Sequence, residues 1–547
     1  KRWKAIGNVF FEYKPIDWLT FKTAYSGNYN TSRQGKYSGA QSDTGASNGN
    51  LASSSIQNRD NYNYTWDNQF TINKTFNEVH AFNFLGLQSL YESVTEESFL
   101  SSREQPFETG FYNIGSGLQS TYNATSEYAK RSLSSYALRL NYTFKDRYLL
   151  TASNRWDGSS VLAKGNKWAS FPSVAVAWKI NEEAFLKNSK IISTLKPRVS
   201  YGYTGNSNVN PYTTQNSLNG DAQSFYNFSG IAASNTVNGW FPATLANIDL
   251  KWEKTREFNV GIDYGFFNDR ISGSVDVYDR LSKDLIYAQQ LPLESGWGTT
   301  YANVGSASNK GVEVLLTTKN IQTDKVRWTT TFAFTKNVNK LVSLYGQSEV
   351  DDVGNNLFIG ENLHSYYNYV FDGIWQADQV AEAATYGQRP GQARVKDLNG
   401  DGQITGDDRA ILGNSDPKWS GSVNSTLNVG NFDFSFSIIT NQGVLAYSQF
   451  HQNFTDMQDR GRQRLDIADW YIPENTAGVP AQYSNTYPQP RNEGTYWNNA
   501  GNERGEKMGY YRDASFVKVK NISIGYNFDA NLMSKLKMKN MRIYANI

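Results

Sequence analysis

This sequence predicts an all-β fold: a large up-and-down antiparallel transmembrane β-barrel. Three observations lead there: strand-length stretches alternate apolar and polar residues, short turns alternate with long polar loops, and aromatics gather at strand tips. In Leu19–Tyr29, residues Leu19, Phe21, Thr23, Tyr25, Gly27 and Tyr29 fall on one face, and Thr20, Lys22, Ala24, Ser26 and Asn28 on the other. A period of two held over about ten residues gives one apolar wall and one wet wall.

The facing pattern recurs along the chain. In Tyr62–Ile72, Tyr62, Tyr64, Trp66, Phe70 and Ile72 oppose Asn63, Thr65, Asp67, Gln69 and Thr71. In Tyr136–Phe144, Leu138, Leu140 and Tyr142 oppose Arg139, Asn141 and Thr143. In Phe258–Phe266, Val260, Ile262 and Tyr264 oppose Asn259, Asp263 and the glycines. Full charges in these strands stay on the polar face, as expected where Arg or Lys on a lipid face costs about 2–4 kcal/mol near the midplane.

Short turns are expected near Lys14–Trp18, Asn73–Asn77, Lys145–Arg147, Asn181–Thr194, Phe267–Arg270, Asn320–Lys325, Gly430–Asn431 and Asp529–Lys539. Long connections rich in Gly, Ser, Asn and Tyr lie between them: Asn30–Asn61, Tyr91–Leu133, Asp157–Pro172, Gly205–Thr255, Leu281–Asn309, Val342–Ser420 and Gln442–Ala514. With spanning strands of roughly 9–11 residues, the count is about 16 strands. A large soluble all-β protein would also alternate, but its strands average about five or six residues and its long and short loops do not segregate by end.

Composition agrees with this reading. No linker or composition break divides residues 1–547, so the whole length reads as one partial barrel with long outer loops. Aromatics reach 14%, which suits two interfacial girdles. Mean hydropathy is −0.60. No apolar run approaches the roughly 18 residues of a membrane helix, which excludes a helical membrane protein but not a barrel. A net charge of +2 gives no footprint for nucleic acid. The absence of cysteine removes thiol catalysis, thiolate zinc sites and disulfides. His80, His364 and His451 are too far apart for a metal-ligand pattern and read as wall or loop residues. No carboxylate pairs with a histidine in a catalytic context, so the chain does not read as an enzyme. It opens on Lys1 without a signal peptide and closes inside an apparent strand at Tyr544–Ile547, which predicts an internal piece of a longer protein.

One loop carries a metal signal. Counting Asp397 as position one, oxygen donors fall at three (Asn399) and five (Asp401), glycine at six (Gly402) and a carboxylate at twelve (Asp408). This spacing wraps a hard cation such as Ca2+ in carboxylate and carbonyl oxygens, with Gln403 supplying its backbone carbonyl. Asp408 stands where an EF-hand has the longer Glu, and Gly387, Pro390 and Gly391 interrupt any preceding helix. The same spacing also describes an Asn/Asp/Gly-rich turn that binds nothing.

Several segments, in order over nearly the whole chain, resemble the SusC/RagA-like TonB-linked outer-membrane transporters of Bacteroidota. They are Leu140–Ala152 running into Arg155–Ser160 and Phe171–Ser173; Leu195–Asn206; Leu250–Glu253; Asn303–Gly305 with Asn309–Glu313; Gly373–Gln376; Asp397–Asp408 leading to Ile411–Asn414; and Asp513–Asn521. The resemblance implies a barrel of about 22 strands closed by an N-terminal plug. It also implies drive from the TonB–ExbB–ExbD complex, a SusD-like surface lipoprotein as a lid, and oligosaccharide or peptide cargo. The plug, the TonB box and some strands fall outside this sequence. Gly205–Thr255 and Val342–Ser420 are then candidates for lid and cargo contacts. Two other readings remain open at this point: a lidless siderophore or vitamin receptor, and a passive porin or adhesin.

Overall fold

Every wall strand pairs with its neighbour in the chain, which is what short return turns impose. The structure, a computed structural model, describes residues 1–219, 225–227, 236–451, 469, 471–474, 478, 480–489 and 508–547. Sixteen strands form the main sheet in simple meander order. They are β1 (Arg2–Ile16), β2 (Leu19–Ser38), β3 (Ala52–Phe76), β4 (His80–Gln105), β5 (Asn123–Phe144), β6 (Tyr148–Ser159), β7 (Trp168–Trp178) and β8 (Ile192–Asn206). The meander continues as β9 (Glu253–Phe266), β10 (Ile271–Gln290), β11 (Thr299–Gln322), β12 (Val326–Leu344), β13 (Trp419–Val429), β14 (Phe432–Gln442), β15 (Phe516–Asn527) and β16 (Arg542–Asn546). The expected strand number and up-and-down order are both met.

The chain divides into two compact units. Unit 1 comprises Lys1–Ser189, Leu195–Gly261 and Arg280–Ser306, and unit 2 comprises Lys190–Thr194, Ile262–Asp279 and Ala307–Ile547. In unit 1 the β2–β3 and β3–β4 registers run almost without a break, from Leu19↔Ile72 to Ser38↔Ser53 and from Phe76↔His80 to Ser54↔Ser102. In unit 2 the β12–β13 and β13–β14 ladders are likewise regular.

The tight turns are built for reversal. Val79 N–H donates to the Phe76 carbonyl with Asn77 and Glu78 at φ +52° and +58° between them. Arg147 donates to Phe144 around Lys145 and Asp146 at +53° and +54°, and Arg270 donates to Phe267 around Asn268 and Asp269 at +58° and +57°, where Phe267 is itself left-handed at +55°. Two successive left-handed residues are the mark of a type I′ turn, whose twist matches that of the strands it joins. The Lys145–Arg147, Phe267–Arg270 and Gly430–Asn431 turns fall where the sequence places them. The Asn73–Asn77 turn moves on to residues 77–79, and the Asp529–Lys539 turn contains a short helix, Ala530–Lys535, capped by the Asp529 side chain.

Strands β7, β13 and β14 have the expected 11 residues, but others run far longer. β3 and β4 have 25 and 26 residues, so the loop expected over Asn30–Asn61 shrinks to 39–51, and Tyr91–Leu133 to 106–122. The reason is physical: about ten residues cross the apolar band, but nothing stops a ladder from continuing into water once both its faces are polar. Among the described residues of β3 and β4, charge on the outward face stands at the two ends: Lys74 lies over the Trp18 and Phe76 rings at the lower girdle, and acidic and basic groups return in the upper part. Glu92 lies opposite Tyr64 and pairs with Lys130 at 2.9 Å, which corrects the expectation of charge on the wet face alone.

Aromatic rings mark two levels on the outward face of unit 1. Near the turns, the Phe76–Phe82, Phe82–Tyr142 and Tyr148–Trp178 ring centroids lie 5.8, 4.7 and 6.1 Å apart. Higher up, Tyr25 stacks on Tyr64 at 5.6 Å and Tyr136 on Trp168 at 6.0 Å. Between these levels Val174 and Val176 are 44% and 50% exposed, as side chains facing lipid must be. Replacing Val174 by Arg should lower unfolding stability in lipid vesicles by about 2–4 kcal/mol. Ala175→Arg, on the opposite face, should cost far less, and a guanidinium titration of the two variants compares them directly.

Candidate functional site

The long connections are folded bodies with cores of their own. In unit 1, Val161, Leu162 and Ala163 follow β6 and are almost wholly buried with Phe171, Val209, Leu250 and Trp252. The Ala163 N–H donates to the Leu250 carbonyl at 3.1 Å, and the Trp252 indole donates to the Lys167 carbonyl at 2.8 Å. Phe171 and Trp252 meet edge to face at 5.4 Å. Arg131 reaches across to the Ser207 carbonyl and hydroxyl at 3.1 and 3.2 Å. The Gly205–Thr255 connection is thus anchored at both ends, while its middle lies partly outside the described residues.

In unit 2, the Val342–Ser420 connection carries two short antiparallel ladders. Ser365–Tyr369 pairs with Arg409–Asn414, and Phe371–Ile374 pairs with Ala393–Val395. Tyr369, Ile374, Ala393 and Val395 are buried together with Tyr471 and Tyr510, which belong to the next long connection. Trp375 is 2% exposed, its indole N–H donates to Gln388 Oε1 at 2.7 Å, and Gln388 Nε2 donates to the Ala393 carbonyl at 3.1 Å. The Arg394 guanidinium covers the Trp375 ring at 5.3 Å and pairs with Asp372 at 3.1 Å. Buried polar groups with full partners fix one arrangement. Much of the Gln442–Ala514 connection lies outside the described residues.

The Asp397–Asp408 loop hangs from this platform, with Ile404 packed on the core. Asp397 accepts from Gly400 N–H at 2.6 Å and from Gly402 N–H at 2.9 Å. These donors hold its carboxyl below the usual carboxylate range, the Gly402 N–H foremost. Asn399 Oδ1 accepts from Asp401 N–H, and Asp401 Oδ1 from Gln403 N–H, at 3.0 and 2.7 Å. Asp408 is fully buried and accepts from Leu398 and Thr405 N–H, both at 2.8 Å. Gly400 and Gly402 take φ of +74° and +80°, so the glycine at position six does make the sharp turn. The loop therefore brings Asp397, Asn399, Asp401 and Asp408 into one tight bend whose oxygens brace its own backbone, and the Gln403 side chain takes no part in that bracing. Among the described residues no three His, Cys, Asp or Glu side chains are disposed to hold a metal.

Sequence reasoning missed the role of Asp408 as a cap. Thr405 and Asp408 form a capping box around the turn Gly406–Asp408, a Thr-x-x-Asp spacing that was available to read. It also missed the Trp375–Gln388 hydrogen bond within one connection, and Tyr471 and Tyr510, whose contacts reach across connections. The histidines are wall and loop residues: His80 Nδ1 meets the Tyr142 hydroxyl at 2.8 Å, His364 pairs with Asp416 at 3.1 Å, and His451 meets the Ser448 hydroxyl at 2.7 Å.

Residues 6–547 match the family described as TonB dependent receptor-like, beta-barrel. A TonB-dependent receptor of Formosa agariphila is 30% identical, over 98% of this chain and 52% of its own length. The TonB-dependent receptor SusC of Bacteroides thetaiotaomicron is 30% identical, over 77% of this chain and 40% of its own. The RagAB peptide transporter superposes with a TM-score of 0.78 at 20% identity, covering all of this chain and 58% of that one, a likeness of fold. The chain spans about half the length of the curated relatives it matches over 98% of its residues. A sixteen-strand meander with short turns, aromatic girdles and folded outer loops is thus a wall with a known kinship: this chain belongs to the TonB-dependent receptor-like β-barrel family of outer-membrane proteins.

Proposed function

We propose that the intact protein imports a large nutrient, an oligosaccharide or a peptide, beneath a SusD-like lipoprotein lid and with energy delivered through TonB–ExbB–ExbD. The observation that carries this reading is the loop platform of unit 2, where Tyr369, Ile374 and Val395 share one buried core with Tyr471 and Tyr510 from the following connection. A lid needs a surface that is already in shape, because ordering loops at the moment of docking costs affinity. Aromatic side chains at that surface, such as Tyr483 and Phe450, offer ring faces to sugars or to peptide side chains. A barrel of this class is too wide for side chains to fill, so a plug supplied by the rest of the protein must close it. The reading is of a transporter, with no catalytic role for this chain.

Purification of the intact parent protein from outer membranes in mild detergent tests the proposal. The expected result is a stoichiometric SusD-like lipoprotein identified by mass spectrometry. A solitary receptor, under conditions that keep other membrane complexes together, points instead to a lidless siderophore or vitamin receptor, or to a porin or adhesin. Within a positive result, Trp375→Ala should remove about 3–5 kcal/mol from the platform core. The wall should still fold, as heat-modifiable migration on a gel would show, while lipoprotein recovery drops sharply. Deletions within Val342–Ser420 and Gln442–Ala514 that leave lipoprotein affinity unchanged overturn the lid contact.

We also propose that the Asp397–Asp408 loop takes Ca2+ as a structural ion. The spacing of Asp397, Asn399, Asp401 and Asp408 supports it, and each carboxylate oxygen that accepts one N–H keeps a second lone pair. Millimolar Ca2+ should then protect the loop from proteolysis relative to EGTA, and Asp397→Asn with Asp401→Asn should abolish that protection. Equal cleavage in both buffers would assign the loop to its own backbone bracing.

A further inference from the structure

On the outward face of unit 1 one row breaks the apolar pattern. Thr23, Asn68 and Gln88 stand directly opposite one another across β2, β3 and β4, on the face that carries Phe21 and Phe70. Their side chains form a continuous chain of hydrogen bonds. Trp66 Nε1 donates to Thr23 Oγ1 at 3.0 Å, Thr23 Oγ1 donates to Asn68 Oδ1 at 2.7 Å, and Asn68 Nδ2 donates to Gln88 Oε1 at 2.8 Å. The chain stops there. The Gln88 Nε2 group has no protein partner among the described residues.

Its depth is informative. Asn68 lies eight residues above Phe76, the aromatic at the turn end of β3. That is about 26 Å along the strand and, at a tilt of about 40°, about 20 Å above the lower girdle of an apolar band some 25 Å tall. The row sits two residues below the paired Tyr25 and Trp66 of the upper girdle. This is the level at which acyl chains join their headgroups, where a lipid carries ester and hydroxyl oxygens and the surroundings are otherwise apolar. An amide donor left alone there is costly, because the hydrocarbon offers it nothing.

Beside the row runs a groove of about 540 Å³ between Phe11 and Phe21 on one side and Leu138 and Trp156 on the other. Its floor is Gly86, where a Cβ would lie 2.2 Å from the Phe70 ring. Groove and donor share one face and one level. We propose that this is a lipid site, in which an acyl chain of an outer-leaflet lipid lies in the groove and its ester or hydroxyl oxygen accepts from Gln88 Nε2. The unsatisfied donor selects this occupant: a bare hydrocarbon surface needs no donor, and an acyl lipid brings an acceptor to this depth.

The test uses the intact receptor purified from outer membranes and washed exhaustively in detergent, with the acyl chains retained per mole of protein counted by mass spectrometry. Wild-type protein should keep bound lipid. Gln88→Leu should keep about five-fold less, the effect of one hydrogen bond. Leu138→Trp, which fills the groove, should match it, both variants showing the heat-modifiable migration of a folded barrel. If Leu138→Trp does not fold, Gln88→Leu decides alone. No lipid on the washed wild type, or equal lipid on wild type and Gln88→Leu, overturns the site. Loss of a dimer with lipid content unchanged also overturns it, and assigns the groove to a second copy of the chain.

Discussion

The backbone hydrogen-bond ladder governs everything else in this molecule. Hydrocarbon offers no partner to an N–H or a C=O, so a chain that crosses it must satisfy every such group within itself. A meander does so for every strand between its first and last, with tight turns at one end and each strand completing the one before it. Side chains are then free to serve two solvents at once, with Val174 and Leu138 turned to lipid and Arg139 and Asp263 kept off that face. The I′ turns at Phe76–Val79 and Phe144–Arg147 belong to the same constraint, since a wider loop would leave register less firmly set.

Above the membrane the rule changes, and the connections behave like small soluble proteins. They bury indoles and phenols, as Trp252, Trp375 and Tyr369 do, and both of those indoles donate to a partner within the loops, the Lys167 carbonyl and Gln388 Oε1. The Asp397–Asp408 bend shows the same economy on a smaller scale, with two carboxylates taking four backbone N–H groups. A carboxylate that folds a loop and one that holds a cation need the same residues at the same spacing, which is why sequence alone cannot separate them.

What was legible in the sequence was local. Alternation over Leu19–Tyr29 and Tyr62–Ile72 fixed which face met lipid, and turn chemistry placed Lys145–Arg147, Phe267–Arg270 and Gly430–Asn431. The strand tops were not legible. In Ser53–Asn61 both faces are Ser, Asn, Gln and charged residues apart from Ile56, so the period of two disappears although the ladder does not. The loop cores escaped notice for another reason. Tyr369, Tyr471 and Tyr510 meet only after the chain has passed through the wall twice more, and no local pattern records such a meeting. The polar row Thr23–Asn68–Gln88 was hidden between apolar neighbours, and became visible only once register placed the three opposite one another.

The overlong β3–β4 hairpin has a consequence for what the cell shows to its surroundings. A strand of 26 residues is about 85 Å long and, tilted, rises about 65 Å along the membrane normal. The apolar band takes up about 25 Å of that height. The remainder stands among and above the sugars that coat the cell surface, as a stiff palisade. A phage tail fibre or an antibody that passes the loops at its top therefore meets hydrogen-bonded sheet here before it meets lipid.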